Sequence, residues 1–126
     1  MGHAVSDPWP LQLAESLQHL ESSVVDPLDV VYEDQDVLAF RDVNPQAPVH
    51  ILVVPRKHIP GYRDATQEDE ALLGRVVRTA ARVAAEQGVA ETGFRCVVNS
   101  GPHAQQSVPH LHVHVLGGRQ MSWPPG

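Results

Sequence analysis

His110, His112 and His114 occupy every second position of a short run, with Leu111, Val113 and Val115 between and after them. A β-strand projects residues i, i+2 and i+4 from one face. The run therefore predicts one strand with three imidazoles on one side and a packed apolar face on the other. Imidazole titrates near neutral pH and serves as nucleophile, acid, base or metal ligand. Three readings follow from these residues alone. The row is a set of partly exposed strand histidines without a task; or it is a metal site; or its central histidine attacks phosphorus while neighbours hold the oxyanion and fix the tautomer. Same-face neighbours on one strand stand about 6–7 Å apart. His110 and His114 are then hard to bring onto one ion, and no Cys/His pair elsewhere has metal spacing. No metal and no cofactor is expected. The loop that starts at Asn99 and reaches Ser107, just upstream, offers backbone N–H groups that suit a phosphate.

The elements that position this row are punctuated by proline and glycine. Leu13, Ala14, Leu17 and Leu20 recur at helical spacing and predict a short N-terminal helix, Leu11–Ser22, behind a loose tail at 1–10. Val30–Glu33 and Val37–Arg41 read as a hairpin turned at Glu33–Asp36. Asn44-Pro45-Gln46-Ala47-Pro48 is a rigid loop, because each proline fixes its own φ and restricts the residue before it. His50–Val54 is almost wholly apolar and β-branched, as a central strand buried on both faces should be. Thr66 to Asp69 resembles a capping box. The stripe Leu72, Leu73, Val76, Val77, Ala80, Val83 and Ala84 predicts one long helix over Gln67–Gln87, stopped by Gly88. Phe94–Asn99 and His110–Leu116 complete about five antiparallel strands. The architecture is α+β, and residues 11–126 form one domain.

Composition excludes several classes. The 126 residues are 42% hydrophobic and 19% charged, a globular balance with enough chain for a real core. The net charge of −6 argues against a nucleic-acid polymer as partner, since such proteins carry basic patches. No apolar run approaches a membrane span, so no membrane partner is expected. The one cysteine, Cys96, allows no intrachain disulfide and fits a reducing, cytoplasmic setting.

The row His110-Leu-His112-Val-His114-Val-Leu116 matches the His-x-His-x-His-x-x signature of the histidine triad (HIT) superfamily, x being apolar. Further segments agree: Phe40-Arg-Asp42-Val-Asn-Pro45-Gln46-Ala47-Pro48-Val-His50, Val53-Val54-Pro55-Arg-Lys57-His58-Ile59, Val97-Val98-Asn99-x-Gly101, Gln106-Ser107-Val108 and Leu116-Gly117-Gly118-Arg119-Gln120-Met121-x-Trp123-Pro124-Pro125-Gly126. Together they span roughly three quarters of the chain and resemble the Hint branch of that superfamily. The resemblance implies a HIT-like fold and a homodimeric purine-nucleoside phosphoramidase, with the tail holding Trp123 reaching the partner's site. It implies that His112 is the nucleophile that becomes nucleotidylated, and that His114 and Asn99 contact the phosphate. Gln106, Ser107 and Trp123 would bind the nucleotide, Ser107 holding phosphate oxygens and the leaving group. His50 and His110 would orient and protonate the triad, Asp42 would take the ribose hydroxyls, and Phe40 and Val43 would line the base pocket. A weakly active nucleotide-binding scaffold and a hydrolase of dinucleoside polyphosphates are the alternatives. The chain departs from the branch at its N-terminal segment, at Gln105 in place of a glycine, and at Pro109 in place of an aromatic. A side chain at Gln105 is expected to crowd the phosphate loop or to lose a positive-φ option.

Overall fold

The computed structural model describes residues 19–126. The expected tail at 1–10 and most of the expected N-terminal helix lie outside these residues. Five strands form one antiparallel sheet: β1 (Val30–Glu33), β2 (Val37–Arg41), β3 (Val49–Pro55), β4 (Phe94–Val97) and β5 (Val113–Gly117), in the order β1-β2-β3-β5-β4. The expected α+β architecture is the one observed, with β3 at the centre. The β1–β2 hairpin closes through Asp34, whose carboxylate accepts from the backbone N–H groups of Asp36 (2.8 Å) and Val37 (2.9 Å). An aspartate that bonds its own downstream backbone in this way sets the turn without a glycine.

Helix α1 (Glu70–Glu86) lies on one face of the sheet. Its Val76, Ala80, Val83 and Ala84 pack on Val37, Ala39, Ile51, Val53, Val113 and Val115. The helix enters through a 3₁₀ turn at Gln67–Asp69, shortening the expected span. Asp69 is buried, accepts from the Thr66 backbone N–H at 2.9 Å and pairs with Lys57, which fastens the helix start to the chain leaving β3. Val77 is 65% exposed although the apolar stripe included it; Thr79 takes the buried position. Gly88 ends the helix at φ +82, as expected of a C′ residue. Gly117 closes β5 where a Cβ would stand 2.9 Å from Val89, so the sheet meets the helix exit at a backbone surface.

The other face carries Leu38, Phe40, Leu52 and Val54, covered by Leu20, Val25 and Val108. At the described end of the expected N-terminal helix, His19 forms an isolated bridge with Lys57 and the Leu20 N–H donates to the Arg56 carbonyl at 2.6 Å, and only Ser22 is helical, opening a 3₁₀ turn at Ser22–Val24. The helical spacing was read from leucines that include Leu20, yet Leu20 is held by strand-like pairing and by burial over Phe40. The buried Arg56 guanidinium donates to the Leu20 and Asp34 carbonyls and pairs with Glu33, fixing this cover to the hairpin.

Candidate active site

The histidines lie on and beside the second face, His50 and His114 on β3 and β5 and His110 against the Pro55 carbonyl. The expected strand His110–Leu116 is in fact Val113–Gly117, so His114 alone of the three stands in the ladder. The β3–β5 register ends at Val53↔Val113. Beyond it, Pro55 keeps a carbonyl but has no N–H to offer a further partner. The chain at 110–112 bonds differently. His110 donates Nε2–H to the Pro55 carbonyl at 2.7 Å, and the Leu111 N–H donates to the Ile59 carbonyl at 2.7 Å. The alternation of faces survives: Leu111, Val113 and Val115 are buried on their side. The histidines are not exposed, however. His110 is 1% and His112 8% accessible.

The hydrogen bonds assign the tautomers. The Gln46 backbone N–H donates to His50 Nδ1 at 3.0 Å, so His50 carries its proton on Nε2. That N–H faces His114 Nδ1 at 2.9 Å and Asp42 Oδ2 at 3.4 Å. His114 thereby accepts at Nδ1 and is protonated at Nε2. His112 Nδ1 lies 2.8 Å from the His110 carbonyl, which only accepts, so His112 donates there and holds its lone pair on Nε2. The rings of His112 and His114 meet edge to face with centroids 5.1 Å apart. The pair thus offers one ring with a lone pair on Nε2 and a neighbouring ring with an N–H on Nε2.

Burial pushes His114 down to about 3, with the His112 and His50 rings adding to the shift. His110 falls to about 4, again chiefly by burial. Burial lowers His50 also, against the pull of Asp42. These imidazoles are neutral at pH 7. His114 in the resting site is therefore an N–H donor and not a ready acid. A bound phosphate would raise its affinity for a proton, as any nearby negative charge does.

The supporting loops are braced. Asp42 is buried, its Oδ1 accepting from the Asn44 N–H at 2.8 Å. The Asn44–Pro48 loop, which orients His50, is held from below: Arg119 Nε donates to the Gln46 carbonyl at 3.0 Å, and Gly118 at φ +91 packs on Pro48. On the opposite side, Ser107 is half-buried and lines an open groove of about 270 Å³ with Pro60, Arg63, Gly101 and Pro109. Gln106 amide donates to the carbonyls of Pro60 and Val108 and accepts from the Gly101 N–H. It is a brace of this loop and not an open ligand contact. Gln105 adopts φ 62, so the positive φ of the missing glycine is kept; its side chain is exposed and does not crowd the loop.

The expected site residues fall into two sets. Asp42, His50, His110, His112 and His114 are brought together by the contacts above. Asn99 is half-buried two residues past β4, and β4 pairs with β5 at Val97↔His114. Val43 is exposed at the rim. Phe40 has no accessible surface and lies in the core under Leu20, which is not the open lining expected of it. Trp123 is 81% exposed, with the Arg95 guanidinium 5.9 Å above its ring. Spacing along one strand gave no metal-binding set, but pairing across strands brings one together. Ligand atoms of Asp42, His50 and His114 lie within 4.8 Å of one another. His58, for which the sequence suggested no role, stands 2.9 Å from His110 through its Nδ1.

A family model described as the HIT domain matches residues 24–121. The protein named Adenylylsulfatase HINT1 of Arabidopsis thaliana is 54% identical over 102 residues, 79% of this chain and 69% of its own. The 14 kDa zinc-binding protein of Brassica juncea is likewise 54% identical over 102 residues, 79% of this chain and 89% of its own. A crystal structure of a HIT family hydrolase from Legionella pneumophila Philadelphia 1 superposes with a TM-score of 0.76 at 47% identity, over 78% of this chain and 88% of that one.

Proposed function

This chain belongs to the HIT domain family, and on that premise we propose that it is a nucleotide-binding hydrolase that cleaves the P–N bond of purine nucleoside phosphoramidates. The observation that carries this reading is the bond from His112 Nδ1–H to the His110 carbonyl, which puts the lone pair on Nε2. His112 Nε2 attacks phosphorus and the P–N bond breaks, the amine leaving with a proton taken from solvent through the Ser107 hydroxyl, which holds the leaving group and regains its own proton from water. Water then attacks the nucleotidyl-histidine, releasing the nucleoside monophosphate and restoring the imidazole. Two in-line steps let one set of donors serve both transition states. His114 Nε2–H, Asn99, Ser107 and the N–H groups of its loop hold the phosphate oxygens. Asp42 takes the ribose hydroxyls, and Val43 meets the base at the rim.

A homodimer through the region of the edge strand β4 and the tail suits the exposed Trp123, since a large aromatic left in water is a common interface anchor. A reducing cytoplasm suits the free Cys96. Turnover of adenosine phosphoramidate, adenylyl sulfate and a diadenosine polyphosphate, measured side by side, tests the reaction. Preference for the phosphoramidate supports it. Preference for adenylyl sulfate would move the reading toward the activity named in the Arabidopsis relative, on the same nucleophile but with a leaving group that needs no proton.

The set of Asp42, His50 and His114 supports a second role for the same residues. One carboxylate and two imidazoles are the donor types that zinc takes, and the ion would have to displace the His50 Nε2 proton and the Gln46 N–H that now faces Nδ1. Zinc held there would occupy the ribose-binding carboxylate and the phosphate-binding histidine, and so would inhibit.

A further inference from the structure

His58 has no part in the mechanism above, yet its geometry reaches the nucleophile. His110 Nε2 meets the Pro55 carbonyl at 2.7 Å, and a carbonyl only accepts, so the proton is on Nε2. The ring is buried and neutral, which leaves the lone pair on Nδ1. His58 Nδ1 lies 2.9 Å from that nitrogen, with ring centroids 5.1 Å apart and planes tilted by 35°. The proton of this bond therefore belongs to His58 Nδ1. Protonating the other nitrogen of His58 leaves that N–H in place, so the bond exists in both charge states.

We propose that His58 is a positioning residue: its Nδ1–H fixes the ring and tautomer of His110, and through the His110 carbonyl it aims His112 at phosphorus. The link is short. The backbone carbonyl that receives His112 Nδ1–H at 2.8 Å belongs to the residue that His58 holds by its side chain. The next residue repeats the tie, since the Leu111 N–H donates to the Ile59 carbonyl. Residues 58–59 thus hold residues 110–111 by one side-chain bond and one backbone bond. Only the side-chain bond depends on residue type.

This role rests on His112 being the nucleophile, and the test separates the two. His58→Leu removes the donor, whereas His58→Asn keeps an amide N–H near the Nδ1 position. With adenosine phosphoramidate as substrate, His58→Leu is expected to lower kcat by roughly 10- to 100-fold, the effect of a displaced reacting group. KM should stay within about twofold, because binding contacts are untouched. His58→Asn is expected to restore most of kcat. Nitrogen-15 spectra of the imidazoles should show His110 protonated on Nε2 in the parent and in His58→Asn, with the Nδ1 signal displaced in His58→Leu. A folded His58→Leu protein with parental kcat overturns the proposal, as does a parent His110 protonated on Nδ1. If His58→Leu does not fold, His58→Asn decides: a retained His110 tautomer with near-parental kcat supports the role, and a loss of either overturns it. Absence of phosphoramidate turnover in the parent protein counts against the proposed reaction instead, while the His110 spectrum still decides the role of His58.

Discussion

The buried histidines make the fold sensitive to mild acid. An unfolded histidine titrates near 6.5. In the folded chain His110 titrates at about 4 and His114 at about 3, both pushed down mainly by loss of water around the ring. Between pH 6.5 and 4 the unfolded state therefore binds protons that the folded state refuses. Stability must fall as pH falls through this window, and it is fully present above the unfolded value. Well below 6.5 each such histidine costs about 1.4 kcal/mol per pH unit, with half that slope at 6.5 itself, so the pair removes about 3 kcal/mol between pH 6.5 and pH 5. His50, lowered in the same direction, adds to the loss. That is a large share of the about 5–15 kcal/mol that holds a domain of this kind. Urea unfolding at pH 7.5, 6.5, 5.5 and 5.0, in buffers of matched ionic strength, reads the effect. Little change above pH 7 and a steep decline below 6.5 are expected, and His114→Asn should flatten the decline. Equal stability at pH 7.5 and 5.0 would refute the claim that these rings are held neutral by burial.

Further outcomes follow from other parts of the structure. Gln105→Gly removes a non-glycine residue from φ 62 and should raise stability by up to about 1 kcal/mol, with kcat/KM changed less than about twofold because the side chain is exposed; melting curves and steady-state rates read both. Turnover should survive exhaustive dialysis against EDTA, and added Zn²⁺ should inhibit through Asp42, His50 and His114; activity lost on dialysis and restored by Zn²⁺ would make the ion essential instead. The chain should sediment as a dimer at micromolar concentration, and deleting Met121–Gly126 should change selectivity among amine leaving groups more than the rate of attack at phosphorus. A monomer, or an unchanged leaving-group profile, would remove the tail from the site.

The hairpin, the central strand, the long helix and the glycine stop after it were legible because each carries a local signal: an aspartate turn, a β-branched run, a capping sequence, an amphipathic stripe. The site was legible in its residue types but less so in its geometry. Alternation placed three histidines on one face, yet not their burial, which depends on how the chain at 55–59 packs against 110–112. Nor could strand spacing show that His50 and Asp42 approach His114, because that contact is made by pairing across β2, β3 and β5 and not along any one of them. Phe40, expected as a pocket wall, is covered by Leu20 and Val25, and that cover comes from a segment whose leucine spacing suggests a helix. His58 is half-buried and lies on a loop, and no sequence rule pairs it with His110.

The central claim is that His112 forms a covalent bond to phosphorus. Acid-quenching the protein during turnover of adenosine phosphoramidate, followed by intact-mass measurement and peptide mapping, tests it most directly. The quenched protein should be heavier by one nucleotidyl group, with the group on His112, and His112→Ala should carry no adduct. That variant should also be destabilised by about 1–3 kcal/mol, since the His110 carbonyl loses a buried donor. An adduct mapped to another residue, or undiminished turnover by His112→Ala, would contradict the account.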